Sequence, residues 1–146
     1  MNPQLRFFTD RFDHGIDSVS RIVIPSDWRI GDTEEFYVFP SEKGRLVVLT
    51  KEELRKKLDE MEKISSAAVS PREKNDRMAA LMSNASTVIC DKQGRITVKT
   101  KLLEHLGLKP KENVLLVGCG LWFEIWNSGA YQQRTDYDAV RESLGF

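Results

Sequence analysis

The sequence carries no excess of either charge: its 146 residues include 22 Lys and Arg against 22 Asp and Glu. A generic polyanion binder usually shows a strong basic surplus, so nucleic-acid contact here has to come from local clustering or from many copies acting together. Cysteine is scarce. Cys90 and Cys119 are the two present, both in strand-like runs, and buried reduced thiols in a reducing cytosol are the expected reading. No apolar run approaches the roughly 20 residues of a membrane-spanning helix, so no membrane partner is expected. Residues 1–9 lack the apolar centre of a secretory signal. His14, His105, Cys90 and Cys119 show neither Cys-x-x-Cys nor His-x-x-x-His spacing, so no metal site is expected and nothing places a Cys nucleophile beside a His. Phosphate-loop, nucleophile-elbow and dinucleotide fingerprints are missing as well. Without an acid–base or nucleophile constellation, neither catalysis nor a cofactor is expected.

What is there is a repeat. Asp91-Lys92-Gln93-Gly94-Arg95-Ile96-Thr97-Val98 follows the β-branched run Val88-Ile89-Cys90. Gly94 suits a tight loop that needs φ > 0, and Ile96 and Val98 alternate with Thr97 and Lys99 as in a half-buried strand. Asp17-Ser18-Val19-Ser20-Arg21-Ile22-Val23-Ile24 repeats the pattern Asp-x-x-x-Arg-Ile-x-(Ile/Val). Both copies continue with a short helical piece, a two-stranded stretch and a helix. Two copies are too few for a solenoid, so a duplicated half-domain whose copies pack on each other is expected.

The periodicities predict the rest. Residues 1–9 read as a frayed start unless Arg6-Phe7-Phe8 anchors them. Strands are expected at 10–16, 21–25, 36–39 and 46–49, with a short helix from Pro25 to Gly31. The strands at 36–39 and 46–49 are apolar at consecutive positions, so both their faces should be covered. Thr50 and Ser70 open capping boxes with Glu53 and Glu73. The two helices that follow carry Leu54, Leu58 and Met61, then Met78, Leu81 and Met82, with a break at 65–70. In the second copy Thr100 is the candidate cap of a helix with Leu102, Leu103 and Leu106, ended by Gly107. Paired strands at 114–117 and 121–126 turn at Gly118-Cys119-Gly120. Asn127 or Ser128 should cap a last helix holding Tyr131. In Leu121-Trp122-Phe123-Glu124-Ile125-Trp126 only Glu124 is polar, which fits a strand buried on both faces or one meeting a neighbouring subunit.

Asp17 and Asp91 can bond loop amides, and with Gly94 they read as loop-structuring residues. Arg21 and Arg95 have two readings. Each can pair with its own loop Asp and hold the turn, or project from the tip toward a partner.

The chain resembles the MraZ family, bacterial transcription regulators built of two tandem AbrB-like swapped-hairpin modules. The second half carries the likeness best, in Asn84-Ala85-Ser86, Asp91-Lys92-Gln93-Gly94-Arg95, Leu106-Gly107-Leu108, Val114-Leu115-Leu116-Val117-Gly118 and Phe123-Glu124-Ile125-Trp126. Ser70-Pro71-Arg72-Glu73 and Arg77 resemble the family's middle helix. The likeness runs from about residue 12 to residue 136.

It implies an α+β fold in which two AbrB/SpoVT-like modules, 9–52 and 85–128, form a pseudo-twofold β-barrel. Helices at 53–84 connect them, and a helix or tail at 129–146 follows. It implies a cytoplasmic, nucleoid-associated regulator of a division and cell-wall operon. Such a regulator binds repeated promoter sites on double-stranded DNA as a homo-oligomeric closed ring.

On that resemblance Arg21 matches the DNA-contacting position, with Ser20 beside it, and Arg95 matches its repeat. Lys92 keeps a basic residue in the second loop, and Arg11 and Arg29 are candidate phosphate contacts. The first family loop usually has Lys-Gly before the Arg, where this chain has Val19 and Ser20. That departure opens an alternative: an AbrB-like oligomeric scaffold or protein-interaction module with weakened or lost DNA binding. Lys99-Thr100 also departs from the apolar-Pro step common in the second module.

Overall fold

The structure is a computed structural model that describes residues 6–65, 69–131 and 136–146. Eight strands and four α-helices are present among these residues. They are β1 Arg11–Gly15, β2 Arg21–Val23, β3 Glu34–Pro40, β4 Arg45–Thr50, α1 Lys51–Ser65, α2 Pro71–Asn84, β5 Ser86–Cys90, β6 Arg95–Thr97, α3 Thr100–Leu106, β7 Asn113–Gly118, β8 Phe123–Asn127 and α4 Tyr137–Ser143.

The two halves of the sequence are interleaved. Six strands form one antiparallel sheet in the order β1-β7-β8-β4-β3-β5. β1 of the first half pairs with β7 of the second, and β5 of the second pairs with β3 of the first. β2 and β6 leave the sheet and pair only with each other. Exchanging the halves maps this pairing onto itself. The sheet nevertheless does not close into the expected barrel. Its edges are β1 and β5, and each chain turns sharply at 17–20 or 91–94 into the separate β2–β6 ribbon, so the two edges have no ladder between them.

The core follows from strand alternation. Phe36, Val38, Leu46, Val48, Leu116, Phe123 and Ile125 face inward, where Ile22 and Ile96 from the underside of the ribbon and Trp28 join them. The opposite face of β3 and β4 presents Phe39 and Leu49, which α1 covers with Leu54. Both faces are therefore covered, as the consecutive apolar residues require.

The capping expectations hold at two helices. Thr50 Oγ1 accepts the Glu53 amide at 3.1 Å, and Ser70 Oγ accepts that of Glu73 at 3.2 Å. Gly107 ends α3 at φ 71°.

Other boundaries differ. The expected helix from Pro25 shrinks to one 3-10 turn, Ser26–Trp28. Lys99, not Thr100, is the N-cap of α3, and Thr100 is its first residue. Asn127 caps a turn rather than a helix: its side chain accepts the Gly129 amide, while α4 begins after Asp136, which accepts the Asp138 amide. Leu121 and Trp122 lie before β8, in the turn.

The frayed start gives way to the anchored reading for residues 6–9. Phe8 is buried and bridges to Gly120, Arg6 binds Glu34 and the Trp28 carbonyl, and Trp28 Nε1 donates to the Thr9 carbonyl at 2.8 Å. The expected break at 65–70 and the expectation for residues 1–5 fall largely outside the described residues.

Candidate nucleic-acid interface

Register decides what the β2–β6 ribbon displays. Arg21 lies opposite Thr97, Ile22 opposite Ile96, and Val23 opposite Arg95. Side chains alternate across a strand, so burying Ile22 and Ile96 turns Arg21, Val23, Arg95 and Thr97 to the other face. Val23 and Thr97 are exposed there, and the Arg21 and Arg95 side chains are about a third exposed. The two arginines are diagonal neighbours, a relation that places residues roughly 7–8 Å apart and their Cβ atoms somewhat closer. Sequence reading put each Arg at the tip of its own hairpin. Instead both halves contribute one strand to a shared ribbon.

The two loops flank this face from opposite ends. The Ser20 carbonyl accepts the Val98 amide at 2.8 Å, and the Gly94 carbonyl accepts that of Ile24 at 2.7 Å. Each loop is therefore tied to the strand of the other half. Val19 is 57% exposed at one tip, and Lys92 and Gln93 are exposed at the other.

Inside each loop an aspartate does the same work. Asp17 Oδ1 accepts the amides of Val19 and Arg21 at 3.0 and 2.8 Å, while its Oδ2 accepts Arg21 Nε at 2.7 Å. Asp91 repeats this with Gln93, Arg95 and Arg95 Nε at 2.9, 2.9 and 3.1 Å. The Arg21 amide in the first loop and the Arg95 amide in the second, helped by the guanidinium of the same residue, hold each carboxyl below its ordinary 3.8. The loop-holding reading of both arginines is thus geometrically present. It does not exclude the projecting one: each tether uses Nε, and among the described residues the Nη atoms of Arg21 and Arg95 hold no hydrogen bond.

The backbone compensates for the missing glycine in the first loop. Ser20 takes φ 66°, close to the 79° of Gly94 at the matching position. A Cβ at Gly94 would also displace the Arg29 side chain that lies against it.

Of the sequence-selected residues, Ser20, Arg21, Lys92, Arg95 and Arg29 gather around the ribbon and its loops. Arg29 is half-buried against the second loop rather than free at the surface. Arg11 is not brought to them. It opens β1 at the end remote from the 17–20 loop, with its guanidinium over the Tyr131 ring at 5.9 Å. His14, His105, Cys90 and Cys119 lie apart on β1, α3, β5 and the β7–β8 turn, and among the described residues no cluster of three His, Cys, Asp or Glu could hold a metal. No described helix is long and apolar enough to cross a membrane.

Sequence reading missed Val23 and Thr97 as part of this face. Alternation alone sets Val23 beside Arg21 and Thr97 beside Arg95, but only the register of β2 against β6 joins the two pairs into one face.

Residues 81–144 match a family model described as "MraZ protein, putative antitoxin-like". Relatives include the "Transcriptional regulator MraZ" of Kocuria rhizophila, 29% identical over 86% of this chain and 85% of its own length. The protein of the same name from Pediococcus pentosaceus is 31% identical over 94% of this chain and 96% of its own. That of Clostridium tetani is 26% identical over 94% and 96%.

Proposed function

This chain belongs to the MraZ family, and from that premise we propose that it is a sequence-specific DNA-binding transcriptional regulator whose reading surface is the exposed face of the β2–β6 ribbon. The relatives' name supports a regulator of transcription, a class without enzymatic chemistry. The observation that carries the DNA surface is the placing of Arg21 and Arg95 on one outward face, each oriented by a loop aspartate.

A two-stranded ribbon fits the major groove, and a guanidinium held by Nε can offer its Nη edge to guanine O6 and N7, a contact worth roughly 1–3 kcal/mol of discrimination. Arg21 and Arg95 are the base readers, with Ser20 at the groove edge. Lys92 and Arg29 meet phosphates beside the second loop, and Arg11 meets flanking backbone. Asp17, Asp91 and Gly94 shape the loops.

The interleaved pairing supports two tandem swapped-hairpin modules, 9–52 and 85–128, joined by helices at 53–84 and followed by 129–146. A chain of zero net charge with two reading arginines grips DNA weakly on its own. Copies in a closed homo-oligomeric ring would raise the local concentration of the next ribbon to about millimolar, so tight binding is reserved for spaced promoter repeats. The target class is a bacterial division and cell-wall operon, and the location is the cytoplasm at the nucleoid.

A scaffold reading, with DNA binding lost, is favoured by the Asp17–Arg21 pair and by Val19 at the tip. A mobility-shift titration with the duplex upstream of its own operon, at two salt concentrations, separates the two. Salt-sensitive shifts that require repeated sites support the regulator, and no shift with intact protein supports the scaffold.

A further inference from the structure

We infer that α4 of one copy docks by its apolar face into the groove between α1, α2 and the β3–β4 strands of another copy. This rests on the oligomeric reading above and names the surfaces that would join its copies.

Among the described residues, the segment 136–146 holds a helix that buries none of its side chains. Asp136 caps its start, the Phe146 amide returns to the Arg141 carbonyl, and Arg141 holds both Asp138 at 2.8 Å and the Phe146 carbonyl. Tyr137, Val140 and Leu144 follow helical spacing, and Phe146 lies beyond the helix after Gly145. They are 63%, 43%, 67% and 69% exposed, and no residue of α4 is buried. A helix this short is marginal in water without packing.

The groove is mostly apolar, with a basic side chain on its edge. It encloses about 630 Å³ and is lined by Phe39, Val47, Leu49 and Leu81, with Lys57 and His105 among its polar residues. α2, which walls it, buries none of its own side chains, and Leu81 is 37% exposed. Residues 136–146 carry three acids, Asp136, Asp138 and Glu142, against one base, Arg141. An acidic amphipathic helix is thus matched to an apolar groove edged by Lys57, which within its own chain lies 3.6 Å from Glu53 and over the Trp122 ring. A helix laid into a groove by anchors three and four residues apart is a recurring mode of recognition. Giving a helix on one side and receiving one on the other is a head-to-tail contact, the kind that closes rings.

The test uses full-length protein altered only at exposed positions, with folding checked by circular dichroism. Native mass spectrometry is run on the wild type, on Val140→Asp with Leu144→Asp, and on Leu81→Glu. Both variants are expected to fall from the assembled mass to a single chain. In a second arm, one chain carrying only Leu144→Cys is mixed under oxidant with another carrying only Leu81→Cys. A disulfide-linked heterodimer is expected, beyond any background from Cys90 and Cys119. An assembled wild type whose variants keep its mass, with no link in the mixture, overturns this docking and leaves the oligomeric reading standing. A third sample carries Leu81→Cys and Leu144→Cys in one chain: an intramolecular link there, with none in the mixture, overturns the docking too, as the helix then folds onto its own groove. A wild type that is itself a single chain overturns both.

Discussion

Ser20 and Gly94 hold the same left-handed backbone, at φ 66° and 79°, at matching points of the two loops. Only glycine adopts that conformation without steric cost, which for other residues is roughly 1–2 kcal/mol. Ser20→Gly is therefore expected to stabilise the protein by about 0.5 kcal/mol, the relief being partly offset by a looser unfolded chain. Gly94→Ser should lose about 1–2 kcal/mol from strain, with the flexible Arg29 side chain swung aside by the new Cβ. Urea denaturation of the pair checks both signs.

Glu124 is the polar residue in the apolar run of β8, and its side chain is 7% exposed. Arg45 donates to it, and so do Trp122 Nε1 at 3.1 Å and Trp126 Nε1 at 2.9 Å. Removing one partner of such a buried pair strands the other charge, at a cost of about 3–5 kcal/mol. Arg45 keeps Glu42 at 3.4 Å and some solvent, so Glu124→Ala is expected near the low end, about 3 kcal/mol. Glu124→Gln, which preserves an acceptor, should lose less. Chemical denaturation measures the difference.

Acid and alkaline stability should have separate causes. Burial would raise the Glu124 carboxyl above its ordinary 4.5, but the hydrogen bonds from Arg45 and the two indoles outweigh it and the net direction is down. Asp17 and Asp91 are likewise lowered from 3.8 by loop hydrogen bonds. A carboxylate lowered by folding stabilises above its unfolded value, and that contribution is lost as pH falls through the folded one. Loss from these groups is thus expected only below about pH 4.5. Burial, with Glu124 nearby, pushes the Cys119 thiol up to about 12. A group raised by folding stabilises below its unfolded value and loses that contribution as pH rises, here from 9.0 toward about 12. Melting temperatures from pH 3 to 10.5 should be flat between those limits, and Cys119→Ala should reduce the alkaline fall.

Arg11 and Arg21 should differ as DNA contacts. Six residue steps of nearly extended chain lead from Arg11 to Asp17, about 20 Å at strand rise. Arg11→Ala is expected to weaken binding less than Arg21→Ala and equally on all sequences, as loss of a contact that only positions the duplex does. Arg21→Ala should weaken it by roughly 5- to 150-fold, the range of 1–3 kcal/mol. Fluorescence anisotropy on one labelled duplex compares them.

The sequence made the strands, the caps at Thr50 and Ser70 and the stop at Gly107 legible, because period-2 runs and side-chain caps are local signals. The Asp–Arg tethers were legible too, since four residues separate the partners. Strand partnership was not. Nothing local to 17–24 or 91–98 says that β2 must pair with β6 rather than with its neighbour in sequence, so the barrel and the two separate tips were expected wrongly. The single Arg21–Arg95 face, with Val23 and Thr97, is a product of that long-range pairing.

The most direct test leaves both arginines and both loops untouched. Thr97 is exposed, lies opposite Arg21 and makes no loop bond. Thr97→Glu and, as a control on α2, Arg72→Glu are titrated against the repeated upstream duplex at fixed salt. Thr97→Glu is expected to weaken binding at least tenfold, about 1.4 kcal/mol, while Arg72→Glu stays near wild type. Wild-type affinity in Thr97→Glu, with the fold intact, would contradict the assignment of DNA reading to this ribbon.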